Sequence, residues 1–540
     1  MKKFFLHPVV FITISVLFIP IANARAAVWQ PQKIFSLESW GFEVLDSYAT
    51  SGERASYLIK SNLGSGANRK EEICTEFGKK SCSEDAYSYL ATAILPICSD
   101  DIIAWCVESL KVYKKDSTKK SASYLRSVDA PTFAKNERFG LPPGGAISLW
   151  DVDGEPHKGG ESTYAVSVVV TATLAPKSNA FTIESVRGSV LPYSDLLKPF
   201  ERLSASVIEN GEGGTQIGRN GGGNAEQPNQ GFLCIFVEKN LCGNQEDFFP
   251  EQRVELTIRL GKSVTGWLMG RLGTPEIQVI PISKEQNRLI IDGQNLSVAR
   301  LYVNSPDKNL WESLPPRPVN ASGVISSLAS DSNTMKRIAA WRDFAKDTSS
   351  GTVSSWSFST ISGGIGSPCL TDTSKLLGLV TTNAMAYEGT APNFQNGTLD
   401  YQVAGMHYLP DGITPFEGSY DLSMRSETAR CLYGFSSAPI QATISITGEQ
   451  NQKIAVTKVS EEEGWLKLSA TGFTFSSPTI SVKLFQEKAN LNQEKEFRTK
   501  KLQGAKLESM KAKSITCVKG KTVKKVTGVN PKCPTGFNKK

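Results

Sequence analysis

The sequence predicts a mainly β protein: multi-domain, built of antiparallel β-sandwich-like units with a few helices, and stapled by disulfides. Three observations predict it. Apolar and polar residues alternate with a period of two through much of the chain. Cysteine is present ten times, an even number, and six of the ten recur in pairs at one spacing. The chain also opens on a segment patterned for export, the setting in which cysteines pair.

That opening segment carries Lys2 and Lys3, then an apolar run from Phe11 to Ile21, then small-x-small cleavage sites at Ala22-Asn23-Ala24 and Ala24-Arg25-Ala26. The pattern is a secretory signal peptide over residues 1–26. The apolar run is too short to span a bilayer comfortably. No cysteine stands near the cleavage point, which speaks against a lipoprotein, and no later stretch is apolar enough for a transmembrane segment.

Residues 27–130 form an N-terminal cysteine-containing domain of mixed signals. Within it, "EDAYSYLATAI" reads as a helix, and "KKDSTKKSAS" closes the segment. Residues 131–310 are strand-rich. "STYAVSVVVTATL" places Tyr164, Val166, Val168 and Val170 on one face, and "RVELTIRL" does the same with Val254, Leu256, Ile258 and Leu260. The Gly-rich stretch 210–231 interrupts this domain as a flexible loop.

Residues 311–350 are a helical connector. In "DSNTMKRIAAWRDFAKD", Asp331 or Ser332 can cap a helix whose Met335, Ile338, Trp341 and Ala345 share a face. Residues 351–486 read as a separate C-terminal β-sandwich. Its alternation is carried by Leu399, Tyr401 and Val403, then Tyr420, Leu422 and Met424, and continues to Phe485. Residues 487–513 are a charged helical linker, and residues 514–540 a basic disulfide hairpin module.

Three cysteine pairs have C-x7-C spacing: Cys74 with Cys82, Cys98 with Cys106, and Cys234 with Cys242. Along a helix such ends would be too far apart to bridge, but a hairpin or loop brings them together. Local bridges within each pair leave Cys369 for Cys431 and Cys517 for Cys533. Metal binding would call for tight C-x2-C pairs or neighbouring histidines, and neither is present, so no metal or other cofactor is expected.

No catalytic constellation stands out. After the signal there are two histidines: His157 in the polar turn "DGEPHKGGES", and His407 in phase with the preceding strand. There is no G-x-S-x-G elbow, and "SGGIGSPC" around Ser367 reads as a turn into Cys369. "GKS" at Gly261–Ser263 has Leu256 where a phosphate loop needs glycine. "DVDGE", Asp151–Glu155, places its glycine fourth, whereas an EF-hand loop wants it sixth. Trp105, Trp267, Trp341 and Trp465 lie in apolar contexts that favour the core over sugar stacking.

The clearest functional signal is charge. The chain carries a net +7, and nine lysines with no Asp, Glu or Arg lie in residues 511–540, which leaves −2 for the first 510 residues. The body is near neutral and the end is basic. "ITCVKGK" and "TVKKVTG" pair as a hairpin turning near Gly520 and Lys521, with Phe537 near the Cys517–Cys533 staple. Lys519, Lys521, Lys524, Lys525, Lys532, Lys539 and Lys540 are the candidate contacts to an anionic polymer. Lysine is a compact point charge suited to diffuse attraction rather than bidentate recognition.

This tail resembles a terminal module carried by uncharacterised secreted or cell-surface proteins of actinobacteria. The resemblance rests on Ile515-Thr516-Cys517-Val518-Lys519-Gly520-Lys521 and on Pro531-Lys532-Cys533-Pro534, Gly536 and Phe537. The body, through "CSDDIIAWCVESLKV", "GWLMGRL", "MRSETARCLYGFS" and "EGWLKLSATGFTFSSP", is similar to large secreted proteins of the same bacteria. The resemblance implies export and association with the envelope, and no activity.

The sequence therefore points to an exported, envelope-associated binding or structural protein. Its expected partners are anionic cell-wall or envelope polymers, with nucleic acid the less favoured anion. The alternative is a secreted polysaccharide hydrolase whose carboxylate pair the sequence does not locate. A sandwich can host either.

Overall fold

The computed structural model describes residues 40–46, 55–62, 68, 70–79, 82, 87–115, 117–197, 206–209, 215–218, 234–238, 241–262, 264–305, 324–372, 374–447, 456–475, 478–486, 513–528 and 530–540. The signal peptide, most of the Gly-rich stretch and the linker up to residue 512 lie outside the described residues. The chain is mainly β, with two α-helices among the described residues.

A 15-stranded sheet forms the centre. Its main path runs Val456–Glu462, Trp465–Thr474, Glu417–Arg425, Leu376–Thr382, Gly266–Gly270, Ser357–Ile361, Thr182–Leu197, Thr163–Leu174, Ser88–Ile94, Tyr57–Ser61 and Glu71–Cys74. Neighbours along this path are antiparallel, except Gly266–Gly270 and Leu376–Thr382, which run parallel. A six-stranded sheet is built on Leu272–Pro281, Asn287–Arg300, Gln252–Leu260 and Cys106–Lys114. A five-stranded sheet contains Thr398–Ala404, Thr479–Phe485 and Gln441–Thr447.

These sheets stack because each strand has an apolar face to bury. Val254, Leu256 and Ile258 of the six-stranded sheet share one core with Val166, Val168 and Val170 of the large sheet. Tyr401, Ile480 and Val482 of the five-stranded sheet share a second core with Tyr420, Leu422 and Met424. Where the two cores meet, the large sheet is covered on both sides. Trp267 and Val380 enter one core, and their neighbours Leu268 and Leu379 enter the other. The Leu376–Thr382 strand is accordingly buried at every position.

The ladders cross the segment boundaries expected from sequence. Gly351–Ser355 pairs with Asn287–Arg300, Ser357–Ile361 pairs with both Thr182–Leu197 and Gly266–Gly270, and Cys106–Lys114 pairs with Gln252–Leu260. The 351–486 segment thus contributes strands to sheets it does not complete. Alternation shows that a strand has a face to bury, but not which segment covers it.

Two local expectations change as well. The segment read as a helix within "EDAYSYLATAI" is the strand Ser88–Ile94, held between Tyr57–Ser61 and Thr163–Leu174. It is nearly continuously buried, and burial on two faces removes the alternation that would have marked it. Inside the Gly-rich stretch, Thr215–Gly218 pairs with Ser206–Glu209, so this part is a hairpin rather than an open loop. The connector helix is present as Ser332–Trp341, with Asp331 accepting from the Asn333 N–H and with Met335, Ile338 and Trp341 buried.

Four bridges join Cys74 to Cys82, Cys98 to Cys106, Cys369 to Cys431, and Cys517 to Cys533. The pairing expected for Cys234 and Cys242 falls on side chains outside the described ones. Their backbones lie in one antiparallel ladder.

Candidate functional site

The residues weighed for catalysis are placed as parts of the scaffold. His157 begins the polar turn, whose residues 158–160 are exposed, but its own side chain is fully buried. Its Nδ1 accepts the Gly159 N–H at 3.1 Å, and its Nε2 lies 3.0 Å from the Tyr193 carbonyl. Those partners fit a neutral ring protonated at Nε2, and burial pushes its pKa down. His407 is half-buried; its Nδ1 meets the Asp347 carboxylate, whose other oxygen accepts the His407 backbone N–H at 3.0 Å.

Ser367 caps the short turn Pro368–Leu370, its hydroxyl accepting the Cys369 N–H at 3.2 Å. Gly261 of "GKS" is explained by packing: a Cβ there would stand 2.1 Å from the Trp105 indole nitrogen. Asp151 accepts a hydrogen bond from the Ser162 hydroxyl, and Gly154 forms a turn with φ 72°. Among the described residues, no three His, Cys, Asp or Glu side chains come together as a metal site. Trp267, Trp341 and Trp465 are buried.

The C-terminal module is a three-stranded sheet with Lys513–Lys519 between Thr522–Gly528 and Asn538–Lys539. Gly520, with φ 60°, occupies the first position of its two-residue turn, where a type II′ hairpin requires positive φ. Cys517 is fully buried and stands opposite Lys524 on one side and Lys539 on the other. All seven candidate lysines are exposed. They are not on one face: Lys524 and Lys525 are consecutive in a strand and project to opposite sides. Lys524 lies over the Phe537 ring, 5.3 Å from its centroid. No carboxylate side chain occurs in the module to neutralise the lysines.

Sequence reasoning missed a second site. Glu417–Arg425, Trp465–Thr474 and Val456–Glu462 are consecutive strands of the large sheet. Their register aligns Asp421 with Ser469 and Lys458 in one row, and Ser423 with Lys467 and Ser460 in the next. This polar floor is walled by the Leu272–Pro281 strand, which bulges at Thr274 and Pro275. Floor and wall enclose an open cleft of about 320 Å³.

The wall is held in an unusual conformation. Thr274 has φ 44°, a left-handed value that costs a β-branched residue on the order of 1–2 kcal/mol. The surroundings fix it. Its N–H donates to Asp421 Oδ2 at 3.1 Å, its hydroxyl accepts from Arg253 at 2.7 Å, and its carbonyl accepts from Arg253 at 3.2 Å. Arg253 is itself anchored by Asp292, Nε to Oδ1 at 3.0 Å.

Asp421 is 5% exposed. Burial pushes its pKa up, while hydrogen bonds from Ser469, the Thr274 N–H and the Thr381 hydroxyl, with the nearby Arg253 charge, oppose that rise. Strain, a bulge, a buried acid and an open cleft thus coincide at one place. Glu276 and Glu462 stand at the rim with Lys458 and Lys467. Lys467 lies 4.0 Å from Glu462.

Comparison of the chain with protein-family models, with curated proteins and with solved structures finds no match in any of the three.

Proposed function

We propose that this is an exported, disulfide-stabilised binding protein held on anionic envelope polymers by its C-terminal lysine module. The observation that carries the reading is the stapled hairpin with seven exposed lysines and no internal acid to neutralise them. A module this small buries little core, so the Cys517–Cys533 bridge is what allows it to hold lysines on a fixed frame. Because the lysines face both ways, the module suits a flexible polyanion that wraps it better than a flat docking partner.

A polysaccharide hydrolase finds less support. Asp421 and Glu276 do line one cleft, but that lining contains no aromatic ring against which a sugar could stack.

The test is retention on purified anionic wall polymer by the whole chain and by a variant with Lys524, Lys525, Lys532, Lys539 and Lys540 all changed to Gln. Retention should fall in the variant. It should also weaken with salt for the parent, as the screening length shrinks from about 10 Å at 0.1 M to about 3 Å at 1 M. Equal retention of both chains, or retention indifferent to salt, would remove the module from the binding account.

A further inference from the structure

The cleft beneath the Thr274 bulge has a direction. Asp421 lies at one end of its floor, under the wall strand that carries Glu276. Lys458 lies two strands away in the same row, beyond Ser469. Strand spacing puts the Cα atoms of Asp421 and Lys458 about 10 Å apart. The acids Asp421 and Glu276 are on the wall side, Lys467 stands on the middle strand 4.0 Å from Glu462, and Lys458 is the cation on the far strand without that carboxylate beside it in the row. Hydroxyls of Ser423, Ser460 and Ser469 lie along the floor.

We propose that this cleft binds a short peptide zwitterion, a dipeptide in the first instance, with its ammonium at Glu276 and Asp421 and its carboxylate at Lys458. The spans are of one order. Two extended residues cover about 7 Å, and a charge-assisted contact of about 2.8 Å at each end brings the reach to about 13 Å, against about 10 Å between the two Cα atoms, from which the long Lys458 side chain extends further. The volume of about 320 Å³ sits at the small end of ligand pockets and suits two small residues rather than a polymer segment.

Other ligand classes fit less well. A polyanion would meet Glu276, Glu462 and Asp421. A neutral sugar would find hydroxyl partners but no ring to stack on. The over-determined Thr274 gives the overhang a fixed shape before any ligand arrives, which reduces the ordering cost of binding. This site is independent of the lysine module, and its failure would leave the polymer-binding proposal untouched.

The test is calorimetric titration of the mature chain with alanyl-alanine. Two blocked analogues accompany it: N-acetyl-alanyl-alanine, which lacks the ammonium, and alanyl-alanine amide, which lacks the carboxylate. Each block should weaken binding about tenfold. Glu276→Gln should reduce the penalty of the acetyl block alone, and Lys458→Met should remove that of the amide block alone. Both residues are solvent-facing rim positions, so neither change should alter the melting temperature. Glucose, N-acetylglucosamine and inorganic phosphate should not bind. Absence of saturable dipeptide binding, tight binding of the sugar or phosphate instead, or indifference to both blocks would each overturn the proposal.

Discussion

The Arg271 guanidinium and the Asp46 carboxylate form an ion pair without solvent contact: Nε stands 2.5 Å from Oδ2, and neither side chain has any exposure. Arg271 also donates to the carbonyls of Thr382 and Ala384, at 2.8 and 2.6 Å, and lies 4.5 Å from the centroid of the Tyr387 ring. Asp46 directly follows the strand Trp40–Leu45, and Arg271 separates Gly266–Gly270 from Leu272–Pro281. One pair thus couples the first described strand to the place where the large sheet is covered on both sides.

A third buried charge, Arg300, interacts with both: Asp46→Asn leaves two guanidinium groups without a counter-charge, whereas Arg271→Met leaves Asp46 facing Arg300. Asp46→Asn should cost about 3–5 kcal/mol in urea unfolding, and Arg271→Met less, because Arg300 still faces Asp46. The double variant should lose clearly less than the two singles added together, because Arg300 alone is then stranded. Strict additivity, or single losses below about 1 kcal/mol, would show that the pair is not what joins these elements.

The 351–486 segment, expected from its alternation to be a separate sandwich, should not fold alone. Without Asn287–Arg300, Thr182–Leu197 and Gly266–Gly270, its first two strands lose every strand partner they have. Phe358 and Leu379 would also expose the face they now turn into the core shared with Val254 and Leu256. Expressed in an oxidising compartment, the fragment should show no cooperative melt, even with Cys369 and Cys431 joined. A sharp β-type transition in the isolated fragment would mean that the shared strands are dispensable.

Stability should fall on the acid side through His157. Burial depresses its pKa below the ordinary 6.5, although Glu246, the Tyr193 carbonyl and Glu161 partly offset this. The unfolded chain therefore takes up the proton first as pH drops. The contribution of the neutral ring is complete above about pH 6.5 and declines as pH falls toward and through the folded value, by at most about 1.4 kcal/mol per pH unit. Urea midpoints should be lower at about pH 5.2 than at about pH 7.5. His157→Gln should flatten that difference, and the His157 ring should titrate below 6.5 by NMR in the parent protein. Glu108 acts in a separate window: hydrogen bonds from Arg259, joined by Arg288, hold it at about 2, so its contribution is lost only below about pH 4.5. A His157 ring that titrates at or above 6.5 would refute the assignment.

Much of the fold could be read from the residues because wet and dry faces alternate. Leu399, Tyr401 and Val403 all point into the core, as their spacing requires. Legibility stops where a second layer covers the wet face. Asp421 and Ser423 sit between Tyr420, Leu422 and Met424 and read as solvent-facing, yet they are 5% and 2% exposed, and Asp421 is met by the Thr274 N–H from the Leu272–Pro281 strand. The cleft drew its residues from strands that are remote in sequence, and its key conformation ran against the local signal. A residue before proline is biased toward extended backbone, and Thr274 precedes Pro275. The lysine hairpin, by contrast, was legible because all its determinants are local: one turn glycine, two cysteines and a run without acids.

Thr274 offers the sharpest check on the strained wall. Thr274→Val and Thr274→Gly both delete the hydroxyl that accepts from Arg253, so both should lose about 1–2 kcal/mol for that contact. They differ in the backbone. Valine keeps the β-branched clash at φ 44°, whereas glycine releases on the order of 1–2 kcal/mol of it while losing roughly 0.5–1 kcal/mol to the greater freedom of the unfolded chain. Glycine should therefore be at least as stable as valine, the reverse of the usual order within a strand. Matched urea titrations of the two variants decide the point. A glycine variant less stable than valine by about 1 kcal/mol or more would mean that Thr274 is not strained, and that the overhang is held by contacts alone.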